Sequence, residues 1–284
     1  GGKALLWASD EACELVTIDA VNASSLVLDG VTVAAYTDAL IVPVRTAYCL
    51  GGLTSTRPAG PIVNVQTEWL CYDGVDLSDG SLYSTYRSHP LVNDCPRVGQ
   101  SAFSERVAVP SSMVDNGLSP PKVFATRSIP DRAVGMAWMP QTLPDLWAVR
   151  CWLHSIRGAQ KAFWLPMWTR GITLAADISA IDTTITIRSL GLNGVAEMGD
   201  LFLRTLSGAE YTFRFTSVAA SGQNDVLTLS AAAGASIAAS AVDVLCPLHC
   251  VRLEQDRVEF AHLYRGRDRQ ITTIQLRAIE VPVP

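Results

Sequence analysis

Cys246-Pro-Leu-His249-Cys250 gathers two thiols and an imidazole within five residues, donor types that suit zinc. Zinc sites usually draw on two such pairs, and the chain has no second Cys/His pair of that spacing, so no metal is expected. The seven cysteines (Cys13, Cys49, Cys71, Cys95, Cys151, Cys246, Cys250) are odd in number and fit no small secreted framework. Most sit in apolar runs. They are expected to be reduced, buried thiols of a protein made in a cytoplasm, packing as small hydrophobes. Val98-Gly-Gln-Ser-Ala102 lacks the second glycine of a nucleophile elbow. His89, His154, His249 and His262 are scattered and read as surface or packed side chains. Asp73-Gly-Val-Asp76-Leu-Ser-Asp79-Gly80 spaces its acids three apart, whereas a calcium loop uses alternate positions and a closing Glu. It reads as a polar turn between domains. No phosphate loop or dinucleotide fingerprint is present. The expectation is that no residue is catalytic, holds a cofactor or binds a metal.

Two clusters keep two readings each. Arg265-Gly-Arg-Asp-Arg269 suits the solvated tip of a hairpin, or a set of cations that pairs with acids on a neighbouring subunit. Trp138, Trp147, Trp152, Trp164 and Trp168 crowd one stretch, as core between a helix and a sheet or as the lining of a sugar site.

The elements that must position these residues are mostly strands. Leu15–Ile18, Leu26–Leu28, Leu40–Val42, Ile62–Val65, Thr183–Ile187, Tyr211–Phe215, Val226–Leu229 and Ile271–Leu276 are short β-rich runs between Gly, Asp, Asn and Ser punctuation. One helix is expected over Leu143–Arg157. Thr142 serves as its N-cap, Asp145 as the reciprocal acceptor, Pro144 lies in the first turn, and Gly158 is the left-handed stop. Leu146, Val149, Leu153 and Ile156 form its apolar face. Ala162–Trp168 follows as a strand of large aromatics that ends at a proline. Ser230–Val251 reads as a loop followed by a strand rather than a membrane span. A chain of 284 residues, 49% hydrophobic and 17% charged, is globular and large enough for about two domains. A net charge of −5 argues against general nucleic-acid binding, though not against a surface past which DNA slides.

The start of the chain recurs near its end. Gly2–Val21 aligns without a gap on Gly199–Val218. After a four-residue insertion, Ser221-Gly-Gln-Asn224, Leu26–Leu28 aligns on Leu227–Leu229, and Val42-Pro-Val44 meets Cys246-Pro-Leu248. The metal-like positions of the second copy become Val42, Arg45 and Thr46 in the first. There is no initiator Met, and the first residues already sit inside the repeat, as expected of a trimmed N-terminus. The organisation that follows is two β-sandwich units, each with an inserted small β-barrel. Residues 1–50 are the inserted barrel of the first unit and 51–72 its closing strands. Residues 73–168 and 251–284 form the sandwich of the second, with helix 143–157, and 171–250 are its inserted barrel. The fold class is mainly β, with one packed helix and an internal duplication.

Arg157-Gly-Ala-Gln-Lys-Ala-Phe-Trp-Leu-Pro-Met-Trp168 and the closing stretch Val251–Pro284 resemble tail-tip proteins of long-tailed bacteriophages. The resemblance is sharp over 157–168 and 251–281 and extends by pattern over most of 100–284. It implies a tail-tube-like sandwich, a place in the virion tail, and assembly in the host cytoplasm. It implies a structural distal-tail or baseplate-type minor tail protein rather than an enzyme. Its partners would be copies of itself, the tail tube protein and the central tip or hub proteins. Two tube-like units per chain would let a homotrimer close a pseudo-sixfold ring around the DNA channel. No cofactor, sequence-specific nucleic-acid binding or membrane span is expected. The alternatives are a carbohydrate- or receptor-binding module, with Trp7 and Tyr211 as sugar-facing aromatics, and a cell-envelope-degrading enzyme, for which no carboxylate or nucleophile pair is recognisable.

Overall fold

The computed structural model describes residues 2–9, 11–51, 54–59, 62–71, 76–96, 103–109, 111–115, 117, 120, 122–125, 131–192, 198–264 and 270–281. The chain divides into two compact units, Gly1–Asp76 and Leu77–Pro284. In both units the named strands pair antiparallel, and strands far outweigh the single α-helix, so the chain is mainly β.

Unit one contains β1 (Gly2–Ser9), β2 (Ala12–Val21), β3 (Leu26–Leu28), β4 (Leu40–Val44), β5 (Ala47–Cys49), β6 (Thr54–Ala59), β7 (Ile62–Gln66) and β8 (Trp69–Cys71). The first four make one sheet in the order β3-β2-β1-β4, while β5 pairs with β8 and β6 with β7. Strand alternation sends Ala4, Leu6 and Val16 to one face, where they form a small core with Ile18, Leu28 and Tyr36.

Unit two begins with a short hairpin, β9 (Thr85–Tyr86) and β10 (His89–Pro90), then β11 (Ser104–Ala108), β12 (Ser111–Val114), β13 (Lys122–Ala125) and β14 (Asp131–Trp138). Helix α1 (Leu143–Ile156) follows, then β15 (Phe163–Pro166), β16 (Thr184–Arg188), β17 (Gly199–Thr205), β18 (Glu210–Ser221), β19 (Asn224–Leu229), β20 (Val242–Leu253), β21 (Glu259–Tyr264) and β22 (Gln270–Glu280). One ten-stranded sheet runs β11-β14-β22-β20-β17-β18-β19-β16, with β15 added on β20 and β21 on β22.

The helix forms as its cap residues dictate. Thr142 is extended, its hydroxyl accepts from the Asp145 amide at 3.2 Å, and the Asp145 carboxylate accepts from the Thr142 amide at 3.2 Å. The expected stop shifts by one residue. The helix ends at Ile156, and Arg157 takes the left-handed cap at φ 53°, followed by Gly158 at φ 64°. Glycine is required at 158 for a further reason: a Cβ there would collide with the Asp256 carboxylate, which accepts from the Ala159 amide at 2.8 Å. Leu146, Val149, Trp152, Leu153 and Ile156 sink into a core made by Phe163, Leu165, Met136, Ile274 and Leu276. Trp152 lies edge-on to Tyr83, Trp138 and Phe163, with centroids 5.0, 6.3 and 5.4 Å away.

The duplication is present in the pairing itself. Gly2↔Ile18 through Trp7↔Cys13 of β1–β2 recurs as Gly199↔Phe215 through Arg204↔Glu210 of β17–β18. Both copies skip one residue at the same place, Asp19 in one and Thr216 in the other, before β3 and β19 join. Leu5↔Val42 of β1–β4 recurs as Phe202↔Cys246 of β17–β20. The match continues past the inserted sheets. Ala47↔Cys71 to Cys49↔Trp69 corresponds to Val251↔Glu280 to Leu253↔Ala278, and Thr54↔Gln66 to Glu259↔Gln275. Even the turn bond recurs: the Leu50 amide donates to Glu68 O and the Glu254 amide to Arg277 O, both at 2.9 Å.

One expectation is corrected. Among the described residues of the inserted segments 1–50 and 171–250, no sheet closes into a barrel. In unit two, irregular segments stand where closing strands would be. Leu174 and Ile178 each make a single bridge, to Ile187 and Ile237, and with them seal the core of Ile185, Leu201, Phe213 and Leu245.

Candidate interaction surfaces

The histidines and cysteines singled out above do not converge. In β20 successive side chains alternate faces, so Cys246 and Cys250 are buried together while His249 points the other way. Among the described residues no group of three or more His, Cys, Asp or Glu side chains is placed to hold a metal. His249 instead joins a polar network across four strands. The Arg132 Nη1 lies 2.8 Å from His249 Nε2, and His249 Nδ1 lies 2.7 Å from Glu280 Oε1. Arg132 Nε also lies 2.8 Å from Glu105 Oε1. The hydrogen bond from His249 holds the Glu280 carboxyl below its ordinary range. Both imidazole nitrogens are thus engaged within the protein, and the network ties β11, β14, β20 and β22 together.

The other candidates divide. His262 Nδ1 lies 2.8 Å from Thr272 Oγ1 and the ring stacks on Phe260, with burial lowering its basicity. His154 is exposed in the last helical turn. The Asp79 carboxylate accepts from the Ser81 amide at 2.9 Å, a local turn contact, while Asp73 lies outside the described residues. Val98–Ala102 and Arg265–Arg269 also lie outside them. Trp138, Trp152 and Trp164 are buried core, and Trp147 is exposed. The thiols require a correction. Cys151, Cys246 and Cys250 are buried, but Cys13, Cys49 and Cys71, on strands of uncovered sheets, and Cys95, in the segment after β10, are exposed.

A second polar cluster, which the sequence did not single out, joins the β9–β10 hairpin to β17. Tyr86 donates to Asp200 Oδ1 at 2.6 Å, Arg87 Nη1 donates to Oδ2 at 3.0 Å, and the Arg87 guanidinium lies over the Trp164 ring at 5.5 Å. Burial and the Asp200 carboxylate push the Tyr86 hydroxyl well above the usual phenol range. In the other copy the position of Asp200 is Lys3, so this joint belongs to unit two alone.

Two surfaces are apolar and uncovered. One is the stretch of β11, β12 and β13, in which β12–β13 is a two-stranded ladder and β11 is the edge of the large sheet beside β14. Val107, Met113, Val114, Val123 and Phe124 along it are each more than half exposed, Val123 at 66%. Unit one adds Tyr48 on β5, Val65 on β7 and Trp69 on β8. An isolated ribbon of two strands is marginal in water, and clustered apolar exposure marks contact surfaces. No helix among the described residues is long and apolar enough to cross a membrane. No protein-family model and no curated protein matches the chain.

Proposed function

We propose that the protein is a structural component of a bacteriophage tail tip or baseplate. Three copies would form a ring that joins the tail tube to the central tip and surrounds the DNA channel. The observation that carries this reading is the doubled unit, with the same ladders, the same bulge and the same closing turn in both copies. A ring with near-sixfold walls needs equivalent surfaces at regular steps, and a chain with two such units supplies two of them. The exposed apolar side chains of β11, β12 and β13 support the reading as well, since a neighbouring subunit would cover them. The net charge of −5 suits a wall that repels a passing phosphate backbone.

Mass photometry of the purified chain, alone and with its tube protein, tests the assignment. A threefold species of about 92 kDa, three times the 30.5 kDa chain, is expected, with ring-shaped particles in negative stain. A species that stays monomeric even beside the tube protein overturns it.

A further inference from the structure

The network around His249 forms a polar row at the rim of the α1 core. On a strand every second side chain shares a face. Arg132 therefore lies on the side of Val134 and Met136, Glu280 on that of Ala278 and Leu276, and His249 on that of Val251 and Leu253, all of them residues of that core. Glu105, opposite Val134 in the ladder, extends the row onto the edge strand β11. The row also marks an end of the sheet. The last rung between β14 and β22 is Ala133↔Ile279, whereas β11 stays beside β14 through Val107↔Arg132 and Ala108↔Asp131 and leads on to β12–β13. Beyond that rung Arg132 reaches back through its side chain, to His249 on β20 and to Glu280 on β22.

The distances fix the state of the imidazole. Arg132 Nη1 lies 2.8 Å from His249 Nε2 and 3.3 Å from Nδ1, and a guanidinium can only donate. Glu280 Oε1, 2.7 Å from Nδ1, accepts. The arrangement takes a neutral ring, with its proton on Nδ1 and its lone pair on Nε2. A further proton on Nε2 would set N–H against N–H and cation against cation at 2.8 Å. We infer that His249 is a proton-operated clasp: neutral, it holds the Arg132 end of β14 and the β11 edge against β20, and protonated, it releases them. The side chain is 17% exposed, so a proton reaches it from solvent. The Arg132 guanidinium then turns to Glu105, already 2.8 Å from its Nε, while His249 keeps Glu280. Arg132 is the permanent cation of the row and Glu105 and Glu280 are its two carboxylates, so the row can take one more positive charge once Arg132 has left the ring. The remaining neighbours do not compete. On β15 the cross-strand partner is Leu165, and Cys250, Asp200 of β17 and Arg87 of the β9–β10 turn lie on the other face of β20. Glu280 titrates separately. The His249 hydrogen bond holds its carboxyl below the ordinary range, so it stays charged while the imidazole titrates and loses its contribution only as pH falls through its folded value, below about 4.3. The inference stands apart from the assignment to a phage tail.

Hydrogen exchange of the full chain, corrected for the intrinsic pH dependence of amide exchange, tests the clasp. From about pH 7.5 to about pH 5.5, where an imidazole ordinarily takes up its proton, protection at residues 106–108 and 131–133 should fall about fivefold or more while the α1 amides keep theirs. His249→Gln still accepts from Arg132 through its amide oxygen but takes no proton, so its protection should stay level over that span. Nitrogen-15 spectra of the parent chain should place the His249 proton on Nδ1 at the upper pH, a readout that stands even if the variant fails to fold. The proposal is overturned by a proton on Nε2 at that pH, by level protection in the parent, by an equal fall in His249→Gln, or by a fall confined to pH values below about 4.3, which would belong to Glu280.

Discussion

Each buried or exposed thiol reports how its own stretch of the chain is covered. Burial raises the Cys246 and Cys250 thiols to about 11, and Cys151 is buried in the helix, so these three should resist labelling until the fold opens. Cys13, Cys49, Cys71 and Cys95 are exposed, and Thr67 lowers the Cys49 thiol through a hydrogen bond. Titration with an aromatic disulfide reagent should give four fast thiols and three that appear only in denaturant. Seven fast thiols would mean that the β20 core is not packed as described. Asp225 makes a second residue-scale prediction. Amide bonds from the loop, Leu190 foremost, hold its carboxyl below the usual carboxylate range. A depressed folded pKa stabilises the fold above the unfolded value of about 3.9 and loses that contribution as pH falls through the folded value. Asp225→Asn should therefore melt well below the parent at pH 6, and the gap should narrow as pH drops toward 3. A gap that does not change with pH would place the effect in packing rather than charge.

At the scale of elements, α1 and its cap were legible in the sequence, because capping is decided by a few adjacent residues. Thr142→Ala should cost about 1 kcal/mol by denaturant titration, the usual effect of losing such a cap. Trp152→Ala should cost about 3–5 kcal/mol, since the indole fills the space between helix and sheet with no exposure. The β-runs at Leu26–Leu28, Ile62–Val65 and Phe163–Pro166 were also legible, from their β-branched and aromatic content between turn residues. The pairing of β12 with β13 was not. The apolar residues of both strands alternate only loosely. Open inserted sheets were read as closed because strand content does not say whether the last strand returns to the first. The joint at Asp200 was hidden for a similar reason: Tyr86 and Arg87 lie 114 and 113 positions away. The exposed thiols were missed because a cysteine in an apolar run is buried only when something covers that face.

At the scale of the whole chain, weak identity concealed strong structural agreement. Gly2 and Gly199 open both copies, and a Cβ at 199 would sit 2.8 Å from the Phe215 ring, which explains why that position stays small. Gly199→Ala should destabilise unit two through this contact, while Gly2→Ala, with open space around it, should leave thermal melting of unit one unchanged. The copies differ most where the inserted sheet meets the closing strands. In unit two β20 runs unbroken from Val242 to Leu253, and its side chains enter three apolar cores in turn, Leu245 in one, Cys246 and Cys250 in the next, Val251 and Leu253 in the last. In unit one the same path is broken between Val44 and Ala47. A load applied to the inserted sheet of unit two therefore has one taut cable to travel along, and those three cores should yield together. Unit one has a slack link at the matching place and can let its halves give way separately.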